Sequence, residues 1–137
     1  MALSLHTDNL IWGCAENPHS RERSCGGSSG GDAGLVAARC APVGLGTDIG
    51  GSLRFPAAFC GVYGLKPSTY RLSKHGCAAA RKERFNEARH LQSTPGPMGS
   101  TADDLVVAMK VLCGKDEYLS DPFITPCPWN DEYFLSV

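Results

Sequence analysis

The amino-acid sequence predicts a fold that contains both helices and strands. Between Gly26 and Leu65, segments with the composition of short helices alternate with short apolar runs that are typical of buried strands. Of the 137 residues, 42% are hydrophobic and 20% are charged, which is close to the composition of soluble globular chains and far from that of disordered ones. At this length we expect no more than one compact domain.

The glycine-rich part of the chain is predicted to form two helices and two strands. The first helix covers Gly31–Cys40 and directly follows a run of glycine and serine. A strand over Val43–Gly46 leads through the tight loop Thr47–Gly51 into a second helix, Ser52–Cys60. Gly61–Leu65 is predicted as a strand that stops at the Lys-Pro pair after it, because proline restricts the residue before it.

A third helix is predicted over Ala102–Cys113. Ser100-Thr101-Ala102-Asp103 resembles a capping box, apolar residues then recur at helical spacing, and Gly114 is a typical C-terminal stop. Beyond this helix, three prolines predict an extended connection up to Val137. The charged stretch at about residues 76–94 is predicted to be a variable, solvated excursion with some helix.

Charge and hydropathy exclude several kinds of partner. The formal net charge of −1 argues against nucleic acid or an anionic membrane surface as an electrostatic partner. The longest apolar runs, such as Leu105–Met109, are far shorter than the roughly 20 residues of a transmembrane helix. The N-terminus has no positive segment followed by an apolar one, so we predict no secretory signal.

The cysteines and histidines predict neither a disulfide framework nor a metal site. The seven cysteines are odd in number and form no CxxC pair, which favours reduced thiols in a cytosolic compartment. Cys40 and Cys60 are predicted to be small buried residues. The four histidines are scattered, and neither the P-loop nor the dinucleotide-binding fingerprint is matched, so we expect no metal and no cofactor.

Glycine is concentrated in one part of the chain. Eleven of the 16 glycines lie between Gly26 and Gly64, a stretch with only four charged residues. Such a cluster indicates tight turns or a ligand close to the backbone. A flexible linker is the alternative, but a linker would not contain the apolar runs that interrupt this stretch.

Two serines stand in the glycine motifs, Ser28 in Gly-Gly-Ser-Ser-Gly-Gly and Ser52 in Asp-Ile-Gly-Gly-Ser. A glycine loop that ends in a serine at a helix start leaves backbone N–H groups free to stabilise an oxyanion, which indicates acyl transfer. A serine nucleophile also needs a base, and no histidine lies in a suitable motif.

The segments Gly26–Gly31, Gly44–Gly61 and Gly64–Pro67 resemble the amidase signature family of serine hydrolases. Within that family, Arg54-Phe55-Pro56 and the Tyr-Arg-Leu-Ser-Lys run at 70–74 are most similar to animal fatty-acid amide hydrolases, whereas bacterial-type glutamine amidotransferase subunits usually differ there. The resemblance implies an α/β fold that is part of the family's core, a mixed β-sheet flanked by α-helices. Residues 1–137 would be a partial domain, with its signature at about 26–67.

The resemblance also implies a Ser-Ser-Lys triad. Ser52 would be the acylated nucleophile, and Ser28 would pass the proton between the lysine, Ser52 and the leaving amine. The main-chain amides of Ile49, Gly50, Gly51 and Ser52 would form the oxyanion hole. The substrate would be a small amide, and the similarity to fatty-acid amide hydrolases implies a long-chain fatty-acid amide.

Three further residues are expected to support the site. Asp48 and Arg54 lie six positions apart around the loop and could brace it as an ion pair, although their charges could equally serve solubility alone. Ser29 is expected to be structural. The family often has tryptophan after its Asn-Pro pair, where this chain has His19. The resemblance therefore does not predict how the chain packs at this position.

The catalytic lysine has no counterpart in this chain. The family places it several tens of residues before the bridging serine, whereas only 27 residues precede Ser28 here and none is a lysine. We therefore expect a fragment with weak or absent turnover. A non-catalytic isoform that binds a partner is one alternative, and a glutamine amidotransferase-type amidase is another.

The resemblance leads to expectations about assembly and location. A partial core exposes unpaired strand edges, which predicts poor solubility or self-association into a homo-oligomer. Membrane contact in fatty-acid amide hydrolases uses elements outside this stretch. We expect an intracellular protein, in the cytoplasm or on the cytoplasmic face of endomembranes.

Overall fold

The computed structural model describes residues 4–77, 92–114 and 117–136. In chain order the elements are β1 (Asp8–Asn9), β2 (Gly13–Cys14), β3 (Glu16–Asn17), β4 (Ser20–Ser24), α1 (Gly30–Ala37), β5 (Val43–Asp48), α2 (Arg54–Cys60), β6 (Tyr63–Gly64), β7 (Thr94–Gly99), α3 (Ala102–Leu112), α4 (Glu117–Ser120) and α5 (Asp131–Leu135). The predicted α/β class is confirmed.

Strands β5, β6 and β7 form one antiparallel sheet in the order β5-β7-β6. Its central strand, β7, has the sequence Thr-Pro-Gly-Pro-Met-Gly, which sequence patterns do not predict as a strand. Leu65 N–H donates to Pro97 O at 3.0 Å, so the backbone polar groups of Pro97 face β6, and those of Pro95 lie on the same side. The short β6 pairs only Met98 and Gly99, so the missing proline N–H groups do not interrupt the β5 ladder.

The main core lies between α1, α2 and this sheet. Its buried members are mostly small. They come from α1, from α2 and its N-cap residue, from β7 and from the position just before the glycine and serine run: Cys25, Ala33, Leu53, Ala57, Cys60 and Met98. A Cβ on Gly64 would lie 2.8 Å from Ala57 Cβ, so the missing side chain lets β6 pack directly against α2. This close packing holds the two serine-bearing segments over one sheet.

The helix predictions are confirmed with changes at their ends. The N-cap of α3 is Thr101, whose side chain accepts from Asp104 N–H, instead of the predicted capping box at Ser100 and Asp103. Both residue pairs have the same spacing, so the sequence alone does not distinguish them. Helix α2 begins at Arg54 and not at Ser52, because the N–H groups of Leu53 and Arg54 bond to the buried carboxylate of Asp48 at the end of β5.

Both ends of the chain contain structure beyond what the sequence predicts. Two antiparallel hairpins, β1–β2 and β3–β4, precede Ser28. The predicted extended tail contains the short helices α4 and α5, and Asn130 caps α5 by accepting from Tyr133 N–H. Most of the predicted charged excursion at about 76–94 lies outside the described residues, and its expected end at Thr94 begins β7.

The seven cysteines are all free thiols. Cys60 is buried as predicted, whereas the prediction for Cys40 is wrong: it follows the end of α1 and is exposed. Within residues 4–77, 92–114 and 117–136, the helices are too short and too polar to cross a bilayer.

Gly96 provides a test of the sheet. A Cβ there would lie 2.1 Å from Leu65 O, so Gly96→Ala must push β6 away from β7. We expect a loss of about 1–3 kcal/mol in the free energy of unfolding, measured by urea denaturation. Gly31→Ala is the matched control, because a Cβ at this helical position meets nothing within 4 Å, and we expect a change within about 1 kcal/mol. Equal effects of the two substitutions would contradict the close approach.

Candidate active site

A buried carboxylate organises the loop between β5 and α2. Asp48 ends β5, and its side chain is 0% exposed. Oδ1 accepts from Gly51 N–H at 2.6 Å, and Oδ2 accepts from the N–H groups of Leu53 and Arg54 at 3.2 Å each. The Arg54 guanidinium donates from Nε to Oδ2 at 2.9 Å and from Nη2 to Oδ1 at 3.1 Å. The ion pair considered from the sequence is therefore present, and the carboxylate also holds three backbone donors.

This arrangement keeps Asp48 ionised. Burial alone would raise the pKa of its carboxyl, but the hydrogen bonds from the Arg54 side chain and from the three loop amides outweigh burial and hold that pKa well below its usual range. The same contact raises the pKa of Arg54. A carboxylate with so low a pKa is a fixed acceptor at neutral pH and not a proton-transfer group.

The glycine loop leaves fewer free donors than the sequence predicts. Gly51 N–H donates to Asp48, so its predicted place in an oxyanion hole is not supported. Gly51 instead has φ +120, and a Cβ there would lie 2.3 Å from the Phe55 ring. Glycine is therefore required both by this backbone conformation and by the lack of space for a side chain. In the described part of the chain, the amides of Ile49, Gly50 and Ser52 bond to no protein acceptor.

A backbone hydrogen bond joins the two serine segments. Ser29 N–H donates to Ser52 O at 3.0 Å, so the residue directly after Ser28 is hydrogen-bonded to Ser52. Ser28 and Ser52 are both half-buried, and the Gly27–Ser28 peptide bond is cis. The structure therefore brings together the segments of two serines that are 24 positions apart in the sequence.

Ser29 has a packing role. It is the N-cap residue of α1, yet its side chain makes no capping bond. Its Oγ instead accepts from Thr47 N–H at 3.3 Å, which ties α1 to β5. A Cβ on Gly46 would lie 2.6 Å from this Oγ, so the serine side chain occupies the space that Gly46 leaves.

Thr7 anchors the Ser28 loop, and sequence reasoning missed it. Its Oγ1 donates to Gly26 O at 2.8 Å, lies 3.3 Å from Ser28 O, and accepts from Gly30 N–H at 3.1 Å. One hydroxyl therefore bridges both ends of the glycine and serine run. No local pattern marks a threonine that acts 19 to 23 residues away, so only the fold could reveal it.

Two polar side chains near the N-terminus fix the far end of α2. Asn17 is buried, and its Nδ2 donates to Phe59 O at 2.8 Å. His19 Nε2 lies 3.0 Å from Cys60 O, a carbonyl of the last turn. His19, which stands where the family often has tryptophan, thus contributes a helix-end contact.

In the part of the chain that the structure describes, no hydrogen bond joins His6, His19 or His75 to Ser28 or Ser52. The ring of His19 bonds to Cys60 O, and the ring of His6 bonds to Ser24 and Cys14. Within the same ranges, no group of three or more His, Cys, Asp or Glu side chains is placed to hold a metal ion. The described site is thus a pair of serines beside free backbone donors.

Comparison with known proteins agrees with this geometry. A family model described as Amidase matches residues 1–133. The chain belongs to the amidase family. Fatty-acid amide hydrolase 1 of Sus scrofa is 40% identical over 133 residues, which cover 97% of this chain and 22% of that protein. A glutamyl-tRNA(Gln) amidotransferase subunit of Sulfurihydrogenibium sp. is 43% identical over 127 residues, 93% of this chain and 24% of that protein.

A solved amidase structure shows the same arrangement of elements. The structure of a fatty acid amide hydrolase matches with a TM-score of 0.84 at 35% identity, and the match covers 95% of this chain and 22% of that one. The chain thus spans less than a quarter of the length of these amidase relatives.

Asp48→Asn tests the buried carboxylate. The amide can accept at only one of its two terminal atoms, so some of the five donors lose their partner, and we expect a loss of about 3 kcal/mol in the free energy of unfolding at pH 7. Because the pKa of Asp48 is lowered by folding, this contribution is complete above about pH 4 and is lost as the pH falls below it. Urea denaturation at several pH values measures both effects.

Asp103→Asn is the matched control for Asp48→Asn, since it removes the same charge from an exposed position in the first turn of α3. A gap between the two variants that stays constant down to low pH would contradict the ionised, five-donor state of Asp48.

Thr7→Val tests the anchor of the Ser28 loop. Valine keeps the shape but removes the acceptor of Gly30 N–H, so we expect the Gly30 amide to exchange its hydrogen about tenfold faster. Thr7→Ser keeps the hydroxyl and should stay within about twofold of the wild type. Hydrogen exchange resolved at single amides makes the measurement, and fast exchange at Gly30 in the wild type would contradict the contact.

Proposed function

We propose that this chain carries the two-serine part of the active site of an enzyme that hydrolyses carbon–nitrogen amide bonds through an acyl-serine intermediate. The observation that carries the proposal is the hydrogen bond from Ser29 N–H to Ser52 O, which brings the Ser28 and Ser52 segments together in a chain of the amidase family. A serine pair beside unpaired backbone amides is suited to acyl transfer.

Ser52 is the proposed nucleophile. It follows the glycine loop at the start of α2, and its half-buried position leaves it open to a substrate. Attack on the amide carbonyl forms a bond from Ser52 Oγ to the carbonyl carbon and places negative charge on the oxygen. The amides of Ile49, Gly50 and Ser52 are the donors available to that oxyanion, since Asp48 holds Gly51 N–H.

Ser28 is the proposed proton carrier between Ser52, the leaving amine and a base. Thr7 holds the loop on both sides of Ser28, so the hydroxyl is presented by a fixed backbone. The final base is proposed to be a lysine, as in the family. Residues 1–27 contain none, so we propose that a longer product carrying this sequence supplies it and that the 137-residue chain alone has weak or absent turnover.

A fatty-acid amide is the proposed substrate. The support is the 40% identity to a fatty-acid amide hydrolase and the similarity of the motif around Phe55. Glutamine is the second candidate substrate, since a glutamyl-tRNA(Gln) amidotransferase subunit is 43% identical over a slightly shorter stretch. The proposed location is intracellular, in the cytoplasm or on the cytoplasmic face of endomembranes.

Labelling with a fluorophosphonate tests the nucleophile. In the longest product that carries this sequence, Ser52→Ala should abolish labelling, and Ser28→Ala should slow it by about 10²-fold or more because the proton relay is lost. Ser68→Ala is the matched control, since this serine is exposed and lies outside the two motifs. Full labelling of Ser52→Ala would refute the assignment.

Turnover assays then distinguish the substrates. Release of free fatty acid from a long-chain fatty-acid amide supports the first candidate, and release of ammonia from glutamine supports the second. A stable protein that neither labels nor turns over either amide supports the alternative of a non-catalytic binding fragment.

A further inference from the structure

A second group of reactive side chains lies at the two N-terminal hairpins, outside the serine site. Cys14 is exposed in β2, and its Sγ lies 3.4 Å from His6 Nε2. The other ring nitrogen, His6 Nδ1, lies 3.0 Å from Ser24 Oγ at the end of β4. A thiol, an imidazole and a hydroxyl therefore form a continuous chain of polar contacts.

The contacts are compatible with proton transfer from Cys14 to His6. Ser24 Oγ also accepts from Gly26 N–H at 2.9 Å, and it has a second lone pair for the His6 Nδ1–H. With the proton of the imidazole on Nδ1, Nε2 is an acceptor that faces the Cys14 thiol. A nucleophile beside a base that a third group orients is the arrangement that activates cysteine in enzymes.

The other cysteines lack this arrangement. Among the described residues, Cys14 is the only cysteine with a histidine ring nitrogen at hydrogen-bond distance. Burial raises the pKa of the Cys25 and Cys113 thiols and raises that of Cys60 to about 12, so these three stay protonated. The remaining exposed thiols are Cys40, Cys77 and Cys127.

We propose that Cys14 is a modification site that reacts with small disulfides. The sulfur of Cys14 attacks one sulfur of the disulfide while its proton passes to His6 Nε2. A new S–S bond forms to Cys14, the S–S bond of the reagent breaks, and the leaving thiolate takes the proton and departs as a thiol. Cys14 is oxidised to a mixed disulfide, and the other half of the reagent is the group reduced.

The test compares each cysteine with itself in the folded and the denatured chain. The 137-residue chain is treated with bis(2-hydroxyethyl) disulfide, a neutral probe, in buffer and in concentrated guanidinium chloride, and mass spectrometry of peptides follows each thiol. We expect Cys14 to react at least about fivefold faster in the folded chain, because a general base accelerates the attack. The buried thiols should react more slowly when folded, and their protection reports that the chain is folded.

Two variants separate activation from exposure. His6→Gln should reduce the folded-to-denatured rate ratio of Cys14 to about one, and Ser24→Ala should lower it in part. His75→Gln is the matched control, because this exposed histidine lies elsewhere in the chain and should leave the ratio unchanged. A wild-type ratio of one or less, or an unchanged ratio in a His6→Gln chain that still protects Cys25 and Cys60, would overturn the proposal.

Discussion

The structure depends most on the buried carboxylate of Asp48. A fully buried charge costs several kcal/mol unless donors surround it, and here five donors from a single loop and the start of one helix meet two oxygens. The position of those donors is therefore fixed by the position of the charge at the end of β5. Since Ser52 lies between the donors Gly51 and Leu53, the carboxylate sets the place of the proposed nucleophile without touching it.

The second requirement is that backbones approach closely, and glycine satisfies it at specific points. Side chains at Gly46, Gly64 and Gly96 would collide with Ser29, Ala57 and the Leu65 carbonyl. The first contact brings Ser29 against β5, where its Oγ accepts from Thr47 N–H, and the other two bring β6 against α2 and Leu65 against β7. The glycine content of the chain is thus a requirement of packing around the site as much as of turns.

Sequence reasoning identified what local chemistry encodes. The three main helices, both serines and the ion pair of Asp48 follow from caps, spacing and motif, and all of them are present. Strand β7 was not predicted because its two prolines usually argue against a strand. A strand can contain them here only because their backbone nitrogens face the short β6, which a local pattern does not show. Thr7 and the donor role of Gly51 toward Asp48 depend on residues that meet only after folding, so no local pattern could show them.

The described residues include the proposed nucleophile and the proposed oxyanion donors, but Asp48, His6 and His19 are already engaged with other groups. Asp48 has a strongly lowered pKa and no free lone-pair direction beyond its five donors. His6 and His19 bond to Ser24, Cys14 and Cys60, and neither bonds to Ser28 or Ser52. In the proposed mechanism, the base that serves Ser28 is therefore none of these three groups. A two-serine relay is consistent with this division of roles: in the proposed mechanism, Ser28 carries the proton between Ser52 and a base that lies outside the glycine loop.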